Sequence, residues 1–395
     1  MEAEFLKQSI LRTEKFITKE KFRGYDPYDA LLSPLFKLPV LNSWKIPRLG
    51  TQQVLKRLPV NLRPLLGIEK GYNPVTLGLC LQAYSYLFKT LPEQKAYFRQ
   101  QAEFCIKEID RLQSKGYNGA CWGYDFDWQA RYATIKAYTP TVVATGFITN
   151  ALFTAYEIIK SERAFELCKS ACNFVLKDLN RTEDESGDFC FSYSPNDRQV
   201  VLNATMKGAR LLAQVYSVTK DEELLKTARK TTNFVANHQH ENGSWPYSIG
   251  DTRTWADNFH TGYVLDCLDE YEKMTGDNSF KNIKEKGWKY YRANFFEHGE
   301  IPKYYDNSLY PIDATACAQS LITLSQFGDM VQALKTAKWI IENMQNADGS
   351  VAYQIKKTFK NNVIYMRWSV AWTFLGLSKV LYTVKDNETA HARLD

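Results

Sequence analysis

Five short segments of one character recur along the chain and constrain its fold more than any other feature. They are Gly119–Trp128, Gly187–Tyr193, Gly243–Tyr247, Gly299–Tyr305 and Gly349–Tyr353, each opening on glycine and rich in aromatic residues. Successive glycines lie 68, 56, 56 and 50 residues apart. A sustained period of this size marks a repeat architecture, and about 55 residues accommodates two five-turn helices with two loops.

The intervening segments carry helical periodicity. Val143, Phe147, Leu152, Tyr156 and Ile159 set a helix over 140–160, and Ala164, Leu167, Ala171, Phe174 and Val175 set its partner over 162–179. Further pairs are expected at 198–218 with 221–238, 257–275 with 279–296, and 311–327 with 329–345. Asp221 is a natural N-cap for its helix. An earlier pair spans 74–90 and 93–115, with Pro92 at the start of the second helix. A last helix at 365–384, paired with an N-terminal helix at 2–19, closes a ring of twelve. No segment alternates over six residues, so strand is expected only as short hairpins in the glycine-aromatic loops.

Residues 22–71 break this pattern. Pro27, Pro34, Pro39, Pro47, Pro59 and Pro64 preclude long helices. The aromatic and apolar content argues for an ordered layer crossing one end of the ring. The whole of 1–395 then reads as one domain.

Composition removes several function classes. The net charge of +6 on 395 residues comes without a dense basic tract interleaved with glycine and aromatics, so nucleic-acid binding is not expected. The start, Met1-Glu2-Ala3-Glu4-Phe5, has no signal-peptide pattern, and no run of 18 apolar residues suggests a membrane span. The eight cysteines form no CxxC pair and read as reduced thiols of a cytoplasmic protein. The five histidines are not grouped with cysteine at zinc-ligand spacing. Without a GxxxxGK[ST] loop, a GxGxxG turn or a GxSxG elbow, no nucleotide cofactor, no metal and no cofactor of any kind is expected. The 24 Tyr, 22 Phe and 9 Trp exceed what a plain helical scaffold uses and suit sugar-binding surfaces as well as helix packing.

The repeated glycine-aromatic turns, the Asn242-Gly-Ser-Trp-Pro-Tyr247 motif and Asp257-Asn-Phe-His-Thr-Gly262 at a helix start resemble the six-hairpin (α/α) toroids. That group includes glycoside hydrolases, polysaccharide lyases, the helical domain of glucuronyl 5-epimerases and the squalene/prenyltransferase-like cyclases. The chain is most similar to toroid proteins encoded with bacterial surface-polysaccharide genes, over roughly 72–384. The resemblance implies an all-α (α/α)6 toroid and a site among the loops preceding the inner helices. One toroid hosts unrelated reactions, so the chemistry rests on the residues.

The densest polar segment is Trp245 to His260. Asp257 can cap the following helix, and His260, three residues on, supplies a group suited to acid/base work near neutral pH. Trp245, Tyr247, Arg253, Trp255 and Asn258 are candidate substrate contacts. A second segment offers Asp125 and Asp127 as a carboxylate pair for glycosidic cleavage, or as partners of Arg131 or local amides, with Trp128 and Arg131 as binding groups. Its Asp-Phe-Asp-Trp string resembles the acid motif of terpene cyclases but lacks that motif's full set of aspartates, so no role carries over. Tyr193 and Arg198, Tyr305 and Asp313, and Arg367 and Trp368 stand at three further helix starts. Arg367 can grip a uronate or phosphate, or serve as an ion pair closing the ring.

The candidate catalytic set is therefore His260, Asp257, Asp127, Asp125 and Tyr305. The expected partner is an oligosaccharide or polysaccharide, acidic in character, modified by epimerase, lyase or hydrolase chemistry during surface-polysaccharide assembly. A terpenoid-cyclase-like enzyme and a non-catalytic glycan-binding toroid are the alternatives.

Overall fold

The computed structural model describes residues 2–38, 41, 44–131 and 134–391; Met1 and Pro39 lie outside the described residues. Among the described residues thirteen helices dominate. They are α1 (Glu2–Lys19), α2 (Lys45–Arg57), α3 (Pro74–Thr90), α4 (Lys95–Arg111), α5 (Val142–Ile159), α6 (Glu162–Lys177), α7 (Leu202–Thr219), α8 (Glu222–Asn237), α9 (Asn258–Thr275), α10 (Lys281–Asn294), α11 (Ala314–Gln326), α12 (Met330–Met344) and α13 (Trp372–His391). Apart from α2, they match the helices expected from periodicity to within a few residues at most ends.

The alternate helices α3, α5, α7, α9, α11 and α13 pack side by side in chain order, and α13 returns to α3. They form an inner ring. Every residue of α3 except Lys89 is buried, because an inner helix meets two ring neighbours, an outer helix and the bore. Outer helices show one apolar stripe. In α8 it is Leu224, Ala228, Thr231, Phe234 and Val235, the i, i+3, i+4 spacing of a helix with one covered face. The closing outer helix is α1, which packs on α12 and α13. Helix α5 is long and apolar enough to cross a membrane by length and composition alone, and 72% of it is buried within the ring.

Ring closure is specified locally. Gln345 Nε2 donates to the Ser9 carbonyl (3.0 Å) and to Thr13 Oγ1 (2.7 Å), while its Oε1 accepts from Ser9 Oγ (2.8 Å). Gly349 sits at φ 88°, and a Cβ there would lie 2.1 Å from the Arg12 carbonyl oxygen of α1. Gly243 does the same against α10, with φ 94° and a Cβ position 2.5 Å from the Lys286 carbonyl. The repeated glycine thus lets each of these loop tips press on the backbone of the next outer helix.

The strands are short, two to five residues each. Some flank the repeated glycines: Arg181–Glu183 pairs with Phe189–Phe191, and Phe296–Glu297 with Ile301–Pro302. Ala352–Ile355 is central in a three-stranded sheet with Ile312–Asp313 and Lys360–Ile364.

Among the described residues of 22–71 are two short 3-10 turns and α2. Buried polar contacts fasten them to the ring. Arg367 donates from Nε and Nη2 to the two carboxylate oxygens of Asp26 (2.6 and 2.9 Å), while within the segment itself Arg63 Nε donates to Asp29 (2.6 Å). Arg63 Nη2 also reaches the Asp26 carbonyl at 2.9 Å. Asn361 Nδ2 donates to the Leu58 carbonyl at 3.1 Å.

Candidate functional site

All six inner helices start at one end of the ring, so their N-termini and the long loops before them meet there. A cavity of about 530 Å³ lies among them. Its floor is Phe147, Tyr263 and Trp372, one aromatic from each of α5, α9 and α13. Its walls come from the loops, with Trp128, Tyr193, Tyr247, Trp255, Tyr304 and Trp368 among them. Tyr28 and α2 complete the enclosure, α2 presenting Gln52, Gln53, Lys56 and Arg57.

Asp257 lines this cavity and, among the described residues, is the only carboxylate that does so. It is the N-cap of α9: Oδ1 accepts the His260 backbone N–H at 3.0 Å. Its Oδ2 is 2.6 Å from His260 Nδ1 and accepts the Trp255 Nε1–H at 3.1 Å. An ionised carboxylate only accepts, so the proton of this short contact sits on Nδ1, and Nε2 is the ring nitrogen that the contact leaves unused. The His260 ring stands edge-on to Tyr247 at 4.5 Å, and Tyr247 stacks on Trp255 at 5.4 Å and 12°. A single short segment, Tyr247 to His260, therefore builds a carboxylate-oriented imidazole beside an aromatic platform.

Cations exceed carboxylates around the cavity. Arg253 is committed to Asp251 (2.6 Å), whose carboxyl it holds down at about 2. Arg367 is committed to Asp26 of the roof segment and lies over the Tyr124 ring at 4.7 Å, and its guanidinium forms part of the wall. Lys56 donates to the Tyr28 hydroxyl at 2.6 Å, and Arg131 to Thr252 Oγ1 at 2.9 Å. Among the described residues, Lys56, Arg57 and Arg131 have no carboxylate within ion-pair distance. Burial raises the hydroxyl pKa of Tyr304 and Tyr305, which keeps both protonated near neutral pH.

Of the residues expected from sequence, the cavity brings together His260, Asp257, Tyr305, Tyr247, Arg253, Trp255, Trp128, Arg131, Tyr193, Arg367 and Trp368. It does not include six others. Trp245, expected in the cleft, is instead 3% exposed between helices, its Nε1–H donating to the Val235 carbonyl at 3.0 Å and its ring covering Gly287. Asn258 is fully buried, with Oδ1 accepting from Tyr291 and Ser320. Asp127 closes a turn, accepting from Lys136 Nζ (2.7 Å) and the Ala137 N–H (2.8 Å). Asp125 opens onto a separate crevice beside Gly71 and Tyr138, where burial lifts its carboxyl to about 6. Asp313 caps α11, accepts from Gln354 (2.7 Å) and Trp368 Nε1, and is fully buried. Arg198 is exposed on the loop before α7. The contributions missed by the sequence reading include the floor rings Phe147, Tyr263 and Trp372, and Gln52, Gln53, Lys56 and Arg57 of α2. The signal for α2 was present as cations in a segment expected to roof the ring.

A second cavity, of about 440 Å³, opens at the other end of the bore. It shares Phe147, Tyr263 and Trp372 with the first, so those three rings form the partition. Its lining is otherwise rich in amides and charges, including Gln82, Asn150, Gln319, Lys207, Arg210 and Asp266. The Lys207 ammonium rests on the Tyr263 and Phe147 rings at 3.6 and 3.9 Å, and burial lowers its pKa to about 7.

No known family description and no curated protein matches the sequence. Solved structures do match in shape. Cellobiose 2-epimerase from Bacillus thermoamylovorans B4167 superposes with a TM-score of 0.62 at 12% identity, over 80% of this chain and 88% of that one. A GH76 α-mannanase of Bacteroides thetaiotaomicron gives 0.58 at 12% identity, over 80% and 87%. A polysaccharide lyase gives 0.54 at 10%, over 80% and 90%. The fold is an (α/α)6 toroid. At these identities the likeness carries the fold and no residue roles.

Proposed function

We propose that this toroid is a cytoplasmic enzyme that moves a proton at a sugar carbon of an acidic glycan during surface-polysaccharide assembly. The observation that carries this reading is the Asp257–His260 pair on the cavity wall, with Nε2 left for substrate. Structural neighbours named as an epimerase, a mannanase and a lyase support carbohydrate chemistry in general. Within that range, hydrolysis by two carboxylates is disfavoured. That mechanism needs a facing pair, and Asp257 is the sole carboxylate among the described lining residues.

The proposed chemistry follows from the groups present. Lys56, Arg57 and Arg131 hold the carboxylate of a uronate residue. His260 Nε2 takes the proton from the adjacent sugar carbon, and the resulting imidazolium is stabilised by Asp257 through Nδ1–H. The charge that develops on the uronate carboxylate is met by the same cations. Return of a proton from Tyr304 or Tyr305 to the opposite face inverts the carbon. Loss of the neighbouring glycosidic oxygen with its bonding electrons instead leaves an unsaturated uronate. The stacked Tyr247 and Trp255 take an apolar sugar face.

Incubating the protein with uronate-containing oligosaccharides in deuterated water tests this. Deuterium should enter the sugar at the carbon beside the carboxylate with inversion, or the ultraviolet absorbance of an unsaturated uronate should appear. Hydrolytic cleavage of such substrates with neither signal would make the protein a hydrolase, and His260 would not be a base at carbon.

A further inference from the structure

The charge of this chain is concentrated in one place. Residues 30–68 contain no aspartate or glutamate, although 44 acids in 395 residues would put about four in a stretch of that length. The same stretch holds Lys37, Lys45, Arg48, Lys56, Arg57 and Arg63. Its excess of +6 equals the formal net charge of the whole chain, so the remainder is balanced.

Exposed apolar side chains gather in the same stretch. Leu38, Trp44, Ile46, Val54, Val60 and Leu65 are each 55% to 83% exposed. Elsewhere among the described residues, only Val331 is a large apolar residue exposed to that degree. Single exposed apolar residues need no explanation, but a contiguous group does.

Helix α2 shows how the group is arranged. One face carries Gln52, Gln53 and Lys56 to the cavity, and Leu55 to a small core with Ala30 and Ile68. The opposite face is exposed as Ile46, Gly50 and Val54, in steps of four residues. Trp44 and Lys45 extend it at the helix start, both exposed. Aromatic, aliphatic and basic side chains on one helical face, without acids, are what an anionic lipid interface selects: Trp and aliphatic groups enter the acyl boundary and cations meet headgroup phosphates.

We propose that the outer face of α2, with Trp44 and Lys45 at its start, docks on an anionic lipid bilayer. Since the inner face of α2 bounds the cavity, docking sets the cavity beside the membrane surface. A consequence, which rests on the glycan reading above, is that the substrate class is a saccharide presented at that surface. The docking itself stands on the charge and exposure pattern alone.

Co-sedimentation of the full chain with vesicles tests the docking apart from any activity. Phosphatidylcholine vesicles containing phosphatidylglycerol should bind the protein at least tenfold better than phosphatidylcholine alone, and added salt should weaken the binding. The exchanges Ile46→Ser with Val54→Ser leave the charge unchanged, and both side chains point to solvent. This variant should keep the parent melting temperature and lose at least tenfold of the vesicle binding. Lys37→Ser with Lys45→Ser, both exposed and outside the cavity lining, should lose the preference for anionic lipid. No binding to phosphatidylglycerol vesicles, or undiminished binding by the Ile46/Val54 variant, overturns the proposal. So does sedimentation equilibrium showing a parent dimer that the Ile46/Val54 exchange converts to monomer, with vesicles unbound; the face would then be an interface between copies.

Discussion

The two ends of the bore are made by the same six helices and share one aromatic partition, yet they are chemically unlike. At the end where inner helices begin, α5, α7, α9, α11 and α13 are each preceded by a connection of 19 to 30 residues from an outer helix, and α3 by the still longer roof segment. At the other end the connections from inner to outer helix are two to five residues. Long loops can fold inward and add tryptophans, tyrosines and a capped histidine that no helix face could supply. Tight turns such as Lys160–Ser161 and Lys220–Asp221 cannot reach the bore, so that end displays only what the helices themselves project. The helix N-termini also place partial positive charge at the loop end, which suits an anionic ligand. Loop length and helix polarity together set the two mouths of this toroid apart.

The sharpest way to break this comparison is to remove a polar group from each end. His260→Gln should lower turnover of an identified uronate substrate by about 100-fold or more, the scale of a lost acid/base group, with an unchanged melting curve. Gln319→Ala at the opposite mouth should leave turnover within about twofold, because it removes no acid/base group. Equal losses from both exchanges would mean that the two cavities act as one continuous site.

The second test concerns the roof, which only the loop end possesses. We propose that the roof and ring melt as one unit, held by the Asp26–Arg367 pair. Arg367→Met leaves a buried carboxylate unpaired and should cost about 3–5 kcal/mol, whereas Asp26→Asn combined with Arg367→Met should recover most of it. Denaturant unfolding followed by far-ultraviolet and tryptophan signals would measure both. Two separated transitions in the parent protein would show that roof and ring are independent.

A third comparison sets that paired cation against an unpaired one. Lys207, at the other end, has aromatic faces for company, and among the described residues no carboxylate within ion-pair distance. Its pKa falls from the ordinary 10.5 to about 7 because burial penalises the charged form. Between those values the unfolded chain holds the proton and the folded chain does not, so this residue makes stability rise with pH above about 7. Below 7 both states are charged and the full burial cost applies. Lys207→Met should thus stabilise by roughly 1–4 kcal/mol near pH 6, with the gain shrinking toward pH 10. Thermal unfolding across that range would reveal it, and a gain independent of pH would assign the effect to packing.

Much of this architecture could be read in the sequence because it repeats. The glycine period, the apolar stripes and the caps at Asp221 and Asp257 are local signals, and they placed the helices. The site was legible where several polar groups were compressed into one segment, from Tyr247 to His260. Trp245 misled because it belongs to the repeat. Its indole donates to the end of the preceding outer helix at Val235, as Trp122 does to the Ile109 carbonyl at 2.8 Å. A tryptophan that takes the same place in two of the five loops is a plug for the hairpin, while Trp255 and His260 line the cavity. Helix α2 was illegible for another reason. Its proline, Pro47, and its weak periodicity hid a helix that tertiary contacts stabilise, and with it Lys56 and Arg57. Lys207 gave no sign because nothing local distinguishes a lysine that faces the bore from one that faces water.

The smallest expected effect is also the most discriminating about the aromatic platform. Trp255 is 38% exposed, stacks on Tyr247 and donates its Nε1–H to Asp257. It therefore has two separable jobs, a surface for a sugar ring and a donor that steadies the carboxylate behind His260. Trp255→Phe keeps most of the surface and removes the donor. Asp257 then retains its bonds from the His260 backbone and Nδ1, so kcat should fall by a few-fold while KM stays near the parent value. Trp255→Ala removes both, and KM should rise by about tenfold, consistent with losing an aromatic contact worth about 0.5–1.5 kcal/mol beyond simple burial. Neither exchange should move the melting temperature much, since the ring lies at the cavity edge. If Phe and Ala raise KM equally, the indole N–H contacts substrate directly instead of serving Asp257, and the bond to Asp257 is exchanged for one to the sugar on binding.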